Sequence, residues 1–154
     1  MKDLSARVEV VRIEPSTYDE SRTYDQYVFL KLSNGAVIDV FDYSMLTDQT
    51  MLGKMVSVTL QLFLSEIEYL SEKIYKVSPN PGMCRPPTSG GHCFSGRITA
   101  IDMIHKRIAL DVGVGEVLVD PDLVTKWDYP PGSFIRACPA RVDLFEIKIL
   151  EEIE

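Results

Sequence analysis

The run "KMVSVTLQLFLSEIEYL" (54–70) alternates along most of its length. Val56, Val58, Leu60, Leu62 and Leu64 fall on one side; Met55, Ser57, Thr59, Gln61 and Phe63 fall on the other. A period of two sends successive side chains to opposite faces of a sheet, whereas an amphipathic helix needs a period near 3.6. The stretch predicts one long strand or two shorter strands in succession, entered at Gly53.

Further along, "SFIRACPARVDLFEIKIL" (133–150) repeats the same order of features behind Gly132. "SEIE" and "FEIK" fall at nearly equal distances beyond the two glycines. Working back from each, "AVIDVF" (36–41) reads against "EVLVD" (116–120), and "QYVFLKL" (26–32) against "KRIALDV" (106–112). The turns between them are Asn34-Gly35 in one case and "GVG" (113–115) in the other. At the start of each unit "SARVEVVRI" (5–13) matches "SGRITAIDM" (95–103). A self-similar order of this kind indicates an internal duplication. The first copy carries an insertion at Glu14–Asp25, polar and rich in Tyr, Ser and Thr, which predicts a long mobile hairpin or a disordered tip.

Nearly every segment reads as a strand. Val28, Leu30 and Leu32 alternate with Tyr27, Phe29 and Lys31. Asn-Gly between two such runs predicts a tight hairpin with positive φ at both turn positions. Pro139 cannot donate to a ladder and belongs at a bulge, an edge or a turn between strands. "DYSMLTDQTML" (42–52) has room for one or two helical turns. The expected class is all-β, each unit running β-β-β-loop or short helix-β-β. That order resembles an OB-fold, a small barrel closed to remove its edges. The expected organisation is two tandem OB-like barrels packed together: 1–71, a Pro/Gly/Cys-rich connector 72–94, and 95–154.

The chain has 154 residues, enough for one domain or two very small ones. No apolar run approaches the roughly 18 residues that span a bilayer, and "MKDLSARVEV" lacks the apolar core of a signal peptide. Three cysteines without scaffold spacing point to reduced thiols and a cytoplasmic location. The net charge of −7 opposes binding to a phosphate backbone.

The connector holds "MCRPPTSGGHCF" (83–94), with Cys84, His92 and Cys93 in one short stretch. No acidic residue lies between Lys73 and Ile101, while Lys73, Lys76, Arg85 and Arg97 are cationic. Its simplest reading is a joint, since Pro, Gly and Ser keep a segment out of helix and sheet. Three other readings compete. Cys84, His92 and Cys93 with Cys138 or His105 could form a zinc site, although their spacing is not that of paired zinc ligands. Cys93 or Cys84 could be a thiolate lowered by Arg85, Lys76 or His92. "TSGGH" (88–92) could cradle an anion on its backbone amides. Cys138, within a strand, reads as a small core residue.

The outer face of the first unit is expected to be covered: most simply by the other unit or the connector, otherwise by a partner protein, a second copy of the chain, or a nucleic acid or other ligand. If Val28, Leu30, Leu32, Ile38 and Val40 point inward, the opposite face carries Tyr27, Phe29, Lys31, Val37, Asp39 and Phe41, which is too apolar to stand bare. The corresponding face of the second unit, Arg107, Ala109, Asp111, Glu116 and Leu118, is more polar. Trp127 and Tyr129, in the loop "TKWDYPPG" (125–132), are further candidate anchors. With two histidines and no recognisable nucleophile site, the inventory argues against an enzyme and requires no cofactor. The expected role is a non-enzymatic binding or assembly module that contacts a protein partner or a second copy through Tyr27, Phe29, Lys31, Asp39 and Phe41. The alternatives are single-stranded nucleic-acid binding, by stacking bases on these aromatics, and a Cys- or metal-dependent enzyme centred on the connector.

Overall fold

The alternating segments form strands, and they join in a single 10-stranded sheet. The structure is a computed structural model and describes residues 6–80, 91–121 and 130–150. Its strands are β1 (Ala6–Tyr18), β2 (Thr23–Leu32), β3 (Val37–Asp42), β4 (Met55–Leu70), β5 (Lys76–Pro79), β6 (His92–Asp102), β7 (Arg107–Asp111), β8 (Glu116–Pro121), β9 (Phe134–Cys138) and β10 (Arg141–Ile149). The loop after β3 holds one 3-10 turn, Gln49–Met51. Among the described residues there is no α-helix, and no helix long and apolar enough to cross a membrane.

The pairings close on themselves. One ring of five strands runs β1-β2-β3-β10-β4 and returns to β1. A second set of pairings runs β4-β8-β7-β6-β9 and returns to β4. Each contains one parallel contact, β3 with β10 in the first and β8 with β4 in the second. Strand β4 belongs to both, and the change occurs at Leu64, a non-glycine residue at φ 50°. Before it, Met55–Phe63 pairs with β1 and β10, and Gln61 and Leu62 also meet β8; after it, Ser65 meets β8 and Glu66–Leu70 pairs with β9.

The pairings do not separate into two tandem barrels, since strand β4 is shared between the rings. In the repeat alignment, the second half of β4 and β10 are equivalent closing segments. Each closes the ring of the other unit: β10 lies between β3 and β4, and Glu66–Leu70 lies against β9. The two units are therefore interlocked by a reciprocal exchange of their last strands. Nothing in the residue pattern separates this from two self-contained units, because either arrangement buries the same alternating face.

One apolar cluster follows from the interlock. It includes Val8, Val28, Leu30, Val40, Val58 and Leu60 from the first unit and Ile98, Ile108, Leu110, Val119, Ile135 and Leu144 from the second. Leu64, grouped above with the inward set, instead sits exposed at the bend. Each fully buried Val, Leu or Ile side chain contributes about 1.5–3 kcal/mol relative to exposure.

Several local expectations are refined. At the β2–β3 hairpin only Gly35 has positive φ (88°). Asn34 instead accepts the Ala36 N–H on its side chain at 3.0 Å, and Gly35 N–H donates to Leu32 O at 2.9 Å. The hairpin is thus a normal turn closed by a left-handed glycine, not a two-residue primed turn. The insertion is a paired hairpin: Glu14 opposes Tyr27, Pro15 opposes Gln26, and Thr17 opposes Asp25. Its tip is organised by Asp19, which accepts from Ser21 N, Arg22 N and Tyr24 Oη. Pro139 lies between β9 and β10, at a turn.

Candidate functional site

The outward side of the first ring is assembled from four strands. Tyr27 and Phe29 project from β2, Asp39 and Phe41 from β3, Arg141 and Asp143 from β10, and Gln61 and Phe63 from β4. Cross-strand register sets the contacts: Tyr27 opposes Phe41, Phe41 opposes Asp143, and Arg141 opposes Phe63. The Tyr27 and Phe41 rings lie 5.5 Å apart and tilted. Tyr43, just past β3, stacks on Phe41 at 6.5 Å.

Arg141 ties these rings together. Its guanidinium carbon is 5.2 Å from the Phe41 centroid and 5.3 Å from that of Phe63. Asp143 grips it in a fork, with Nε to Oδ1 at 2.6 Å and Nη2 to Oδ2 at 3.0 Å. That hydrogen bonding holds the guanidinium above its already high ordinary pKa. A second arginine does the same nearby: Arg12 lies over Phe29 at 5.3 Å and pairs with Glu14. The apolar face is thus covered in part by two arginine side chains from the chain itself, one from each unit. Tyr27, Phe29 and Phe41 remain half-buried, while Tyr43 and Phe63 are exposed.

Lys31 stands exposed at one end of β2. Asp39 is buried, and its charge acts on the half-buried His92 ring. Desolvation pushes the His92 pKa down, and Asp39 offsets part of that shift. Two residues beyond Asp143, Phe145 lines a groove of about 700 Å³ together with Leu46, Ile147, Leu150, Ser57, Thr59, Glu146 and Lys148. On the second unit the expected polar face is only partly so. Ala109 and Leu118 are buried with Ala100 against them, and Asp120 accepts from Gln61 and faces Arg107 Nε at 3.2 Å. Asp120 Oδ1 nevertheless has no hydrogen-bond partner, so the Arg107 contact is one of charge rather than a formed hydrogen bond.

The cysteines require a correction. Cys93 and Cys138 form a disulfide with Cα atoms 4.4 Å apart. Phe94 opposes Ala137 on β6 and β9, so the same register sets these two cysteines opposite each other. Their sulfurs are committed to one another. Neither is a zinc ligand or a free thiolate in this state, and Cys138 is not a lone core residue. The sequence signal missed this because 45 positions separate them and only sheet register brings them together. His105 is exposed, with Nδ1 2.8 Å from Asp102 Oδ2. No group of three or more His, Cys, Asp or Glu residues placed to hold a metal occurs among the described residues. Cys84, Trp127 and Tyr129 lie outside the described residues.

Arg12, Tyr43, Phe63, Arg141 and Asp143 were not singled out by sequence reasoning. The alternation of "ARVDLF" does place Arg141, Asp143 and Phe145 on one side of a strand. Which ring that side would serve depends on the strand exchange. No protein-family model, curated protein or solved structure matches the chain.

Proposed function

We propose that this chain is a non-enzymatic binding or assembly module built from two interlocked OB-like units, and that it contacts a protein surface through the outward face of the first. In each ring the strand order and the single parallel contact follow the OB pattern once the closing strands are exchanged. The observation that carries the binding reading is Arg141, held between Phe41 and Phe63 beside Tyr27 and Tyr43. Rigid aromatic side chains with an ordered arginine are the residue types that dominate protein–protein hot spots. Their order in the free chain lowers the entropy lost on association.

The nucleic-acid alternative is less favoured on charge. Stacking rings are present, but the nearby guanidiniums are matched by Asp143 and Glu14. A cation already gripped by a carboxylate releases few counterions from a phosphate backbone.

A photo-reactive phenylalanine analogue at position 43 tests the reading. It should cross-link to a discrete protein or to a second copy, and Arg141→Ala combined with Phe63→Ser should abolish the product. A labelled single-stranded oligonucleotide titrated at low salt should show no saturable binding. Saturable binding lost in Tyr27→Ala and Phe41→Ala would assign the face to nucleic acid instead.

A further inference from the structure

The disulfide lies where the chain leaves one ring for the other. Cys138 is the last residue of β9, Arg141 is the first of β10, and only Pro139 and Ala140 separate them. Across the bond, Cys93 sits in β6 beside His92, whose ring feels the charge of Asp39 on β3. The bond therefore fixes the corner from which β10 crosses to the aromatic face. The corner is also held by pairing: Ala140 N–H donates to Phe63 O at 3.0 Å, Arg141 to Leu144 oppose Phe63 to Leu60 of β4, and β3 meets β10 in register at Phe41 and Asp143. The disulfide adds a covalent tie to these contacts.

We propose that the Cys93–Cys138 bond is a reducible latch that holds the β9–β10 corner, and Arg141 with it, on the aromatic face. The regulatory meaning rests on the reading of that face as a binding surface; the latch itself does not. Cys93 is fully buried, whereas Cys138 keeps part of its surface. A dithiol reductant attacks at Cys138: its thiolate forms a mixed disulfide there, and Cys93 leaves and takes up a proton. The second thiol of the reductant then displaces Cys138. Two electrons and two protons pass to the protein, giving two thiols, and the reductant departs as its disulfide. The freed corner lets the start of β10 open locally, so that Arg141 no longer bridges Phe41 and Phe63.

The test uses the full chain, oxidised and after dithiothreitol, followed by hydrogen exchange with mass-spectrometric readout and a thiol count. Reduction under native conditions should release the two thiols of this pair. Exchange over Arg141–Leu144 should then quicken by about tenfold or more, as expected for local rather than global opening. The β1–β2 amides from Val8 to Leu32 should change far less. A Cys93→Ser/Cys138→Ser variant should reproduce the pattern without reductant; if it fails to fold, the reduced wild-type chain still decides. The latch is overturned if the thiols appear with no change at the corner, if all strands quicken equally, or if the bond resists dithiothreitol until the chain unfolds. Exchange at the corner is read without any partner, so a failed latch and a failed binding face give separate results.

Discussion

A methyl group added at Gly96 would stand 1.8 Å from the Asp111 carbonyl oxygen and 2.7 Å from its carbon. Both are backbone atoms and cannot swing away. The equivalent position in the first unit is Ala6, which is buried without such a conflict. Gly96→Ala should cost about 3 kcal/mol, the upper range for overpacking, read from urea unfolding midpoints, while Ala6→Gly should cost about 1 kcal/mol. Asp42 makes the opposite case, a buried carboxylate that is fully used. It accepts from Gln26 Nε2 at 3.0 Å, Leu46 N at 2.8 Å, Thr47 N at 2.9 Å and Thr47 Oγ1 at 2.7 Å. Asp42→Ala removes the acceptor of the Leu46 and Thr47 donors, while Gln26 keeps its bonds to Thr47, and a loss of about 3 kcal/mol is expected in the same measurement. His92 gives a pH dependence. Its folded pKa lies below the ordinary 6.5 because burial disfavours the cation. The unfolded chain therefore binds the proton more readily, and the His92 contribution is lost as pH falls from 6.5 through the lowered folded value. Thermal midpoints of wild type and His92→Gln, compared across that window, should differ in slope, with the variant the flatter.

Among the elements, the β1–β2 extension is the most separable. Residues 16–22 and Tyr24 are exposed, and beyond Pro15 and Gln26 the extension pairs only with itself. Replacing Ser16–Asp25 with Asn-Gly should change stability by less than about 1 kcal/mol, since loop closure varies slowly with length; thermal unfolding checks this. Gln26 must be kept, because its amide joins the Asp42 and Thr47 network. Strand β4 is the least separable element. Its alternation up to Phe63 was readable as a strand, and so was the possibility of a division. The bend at Leu64 was not, since "FLSE" contains neither Gly nor Pro to mark it. The left-handed conformation there is imposed by pairing on both sides.

At the scale of the molecule, each unit lacks a strand that the other supplies. A fragment ending at residue 80 contains β1–β5 but leaves β3 and the first part of β4 without β10 between them. A fragment starting at residue 91 lacks Glu66–Leu70 beside β9. Open hydrogen-bonding edges and a divided core should leave each fragment unfolded or aggregated alone. Refolded together, the two should form a one-to-one complex with cooperative unfolding, checked by circular dichroism and light scattering. Two fragments that each fold alone would overturn the interlocked account. The aromatic face has the same bipartite character, because Tyr27, Phe41 and Tyr43 come from one unit and Arg141 and Asp143 from the other.

Alternation at a period of two was enough to set the class of this protein, the position of nearly every strand and the inward residues Val28, Leu30, Val40, Val58 and Leu60. The same pattern exposed Tyr27, Phe29 and Phe41 as an apolar outward face. Tertiary structure decided which strands meet. The exchange of β10 for the second half of β4, the Cys93–Cys138 pair and the placement of Arg141 over Phe41 depend on contacts between distant segments. Alternation specifies which face of a strand is buried, and that constraint is met equally well by its own unit or by its neighbour, so only the assembled sheet distinguishes them.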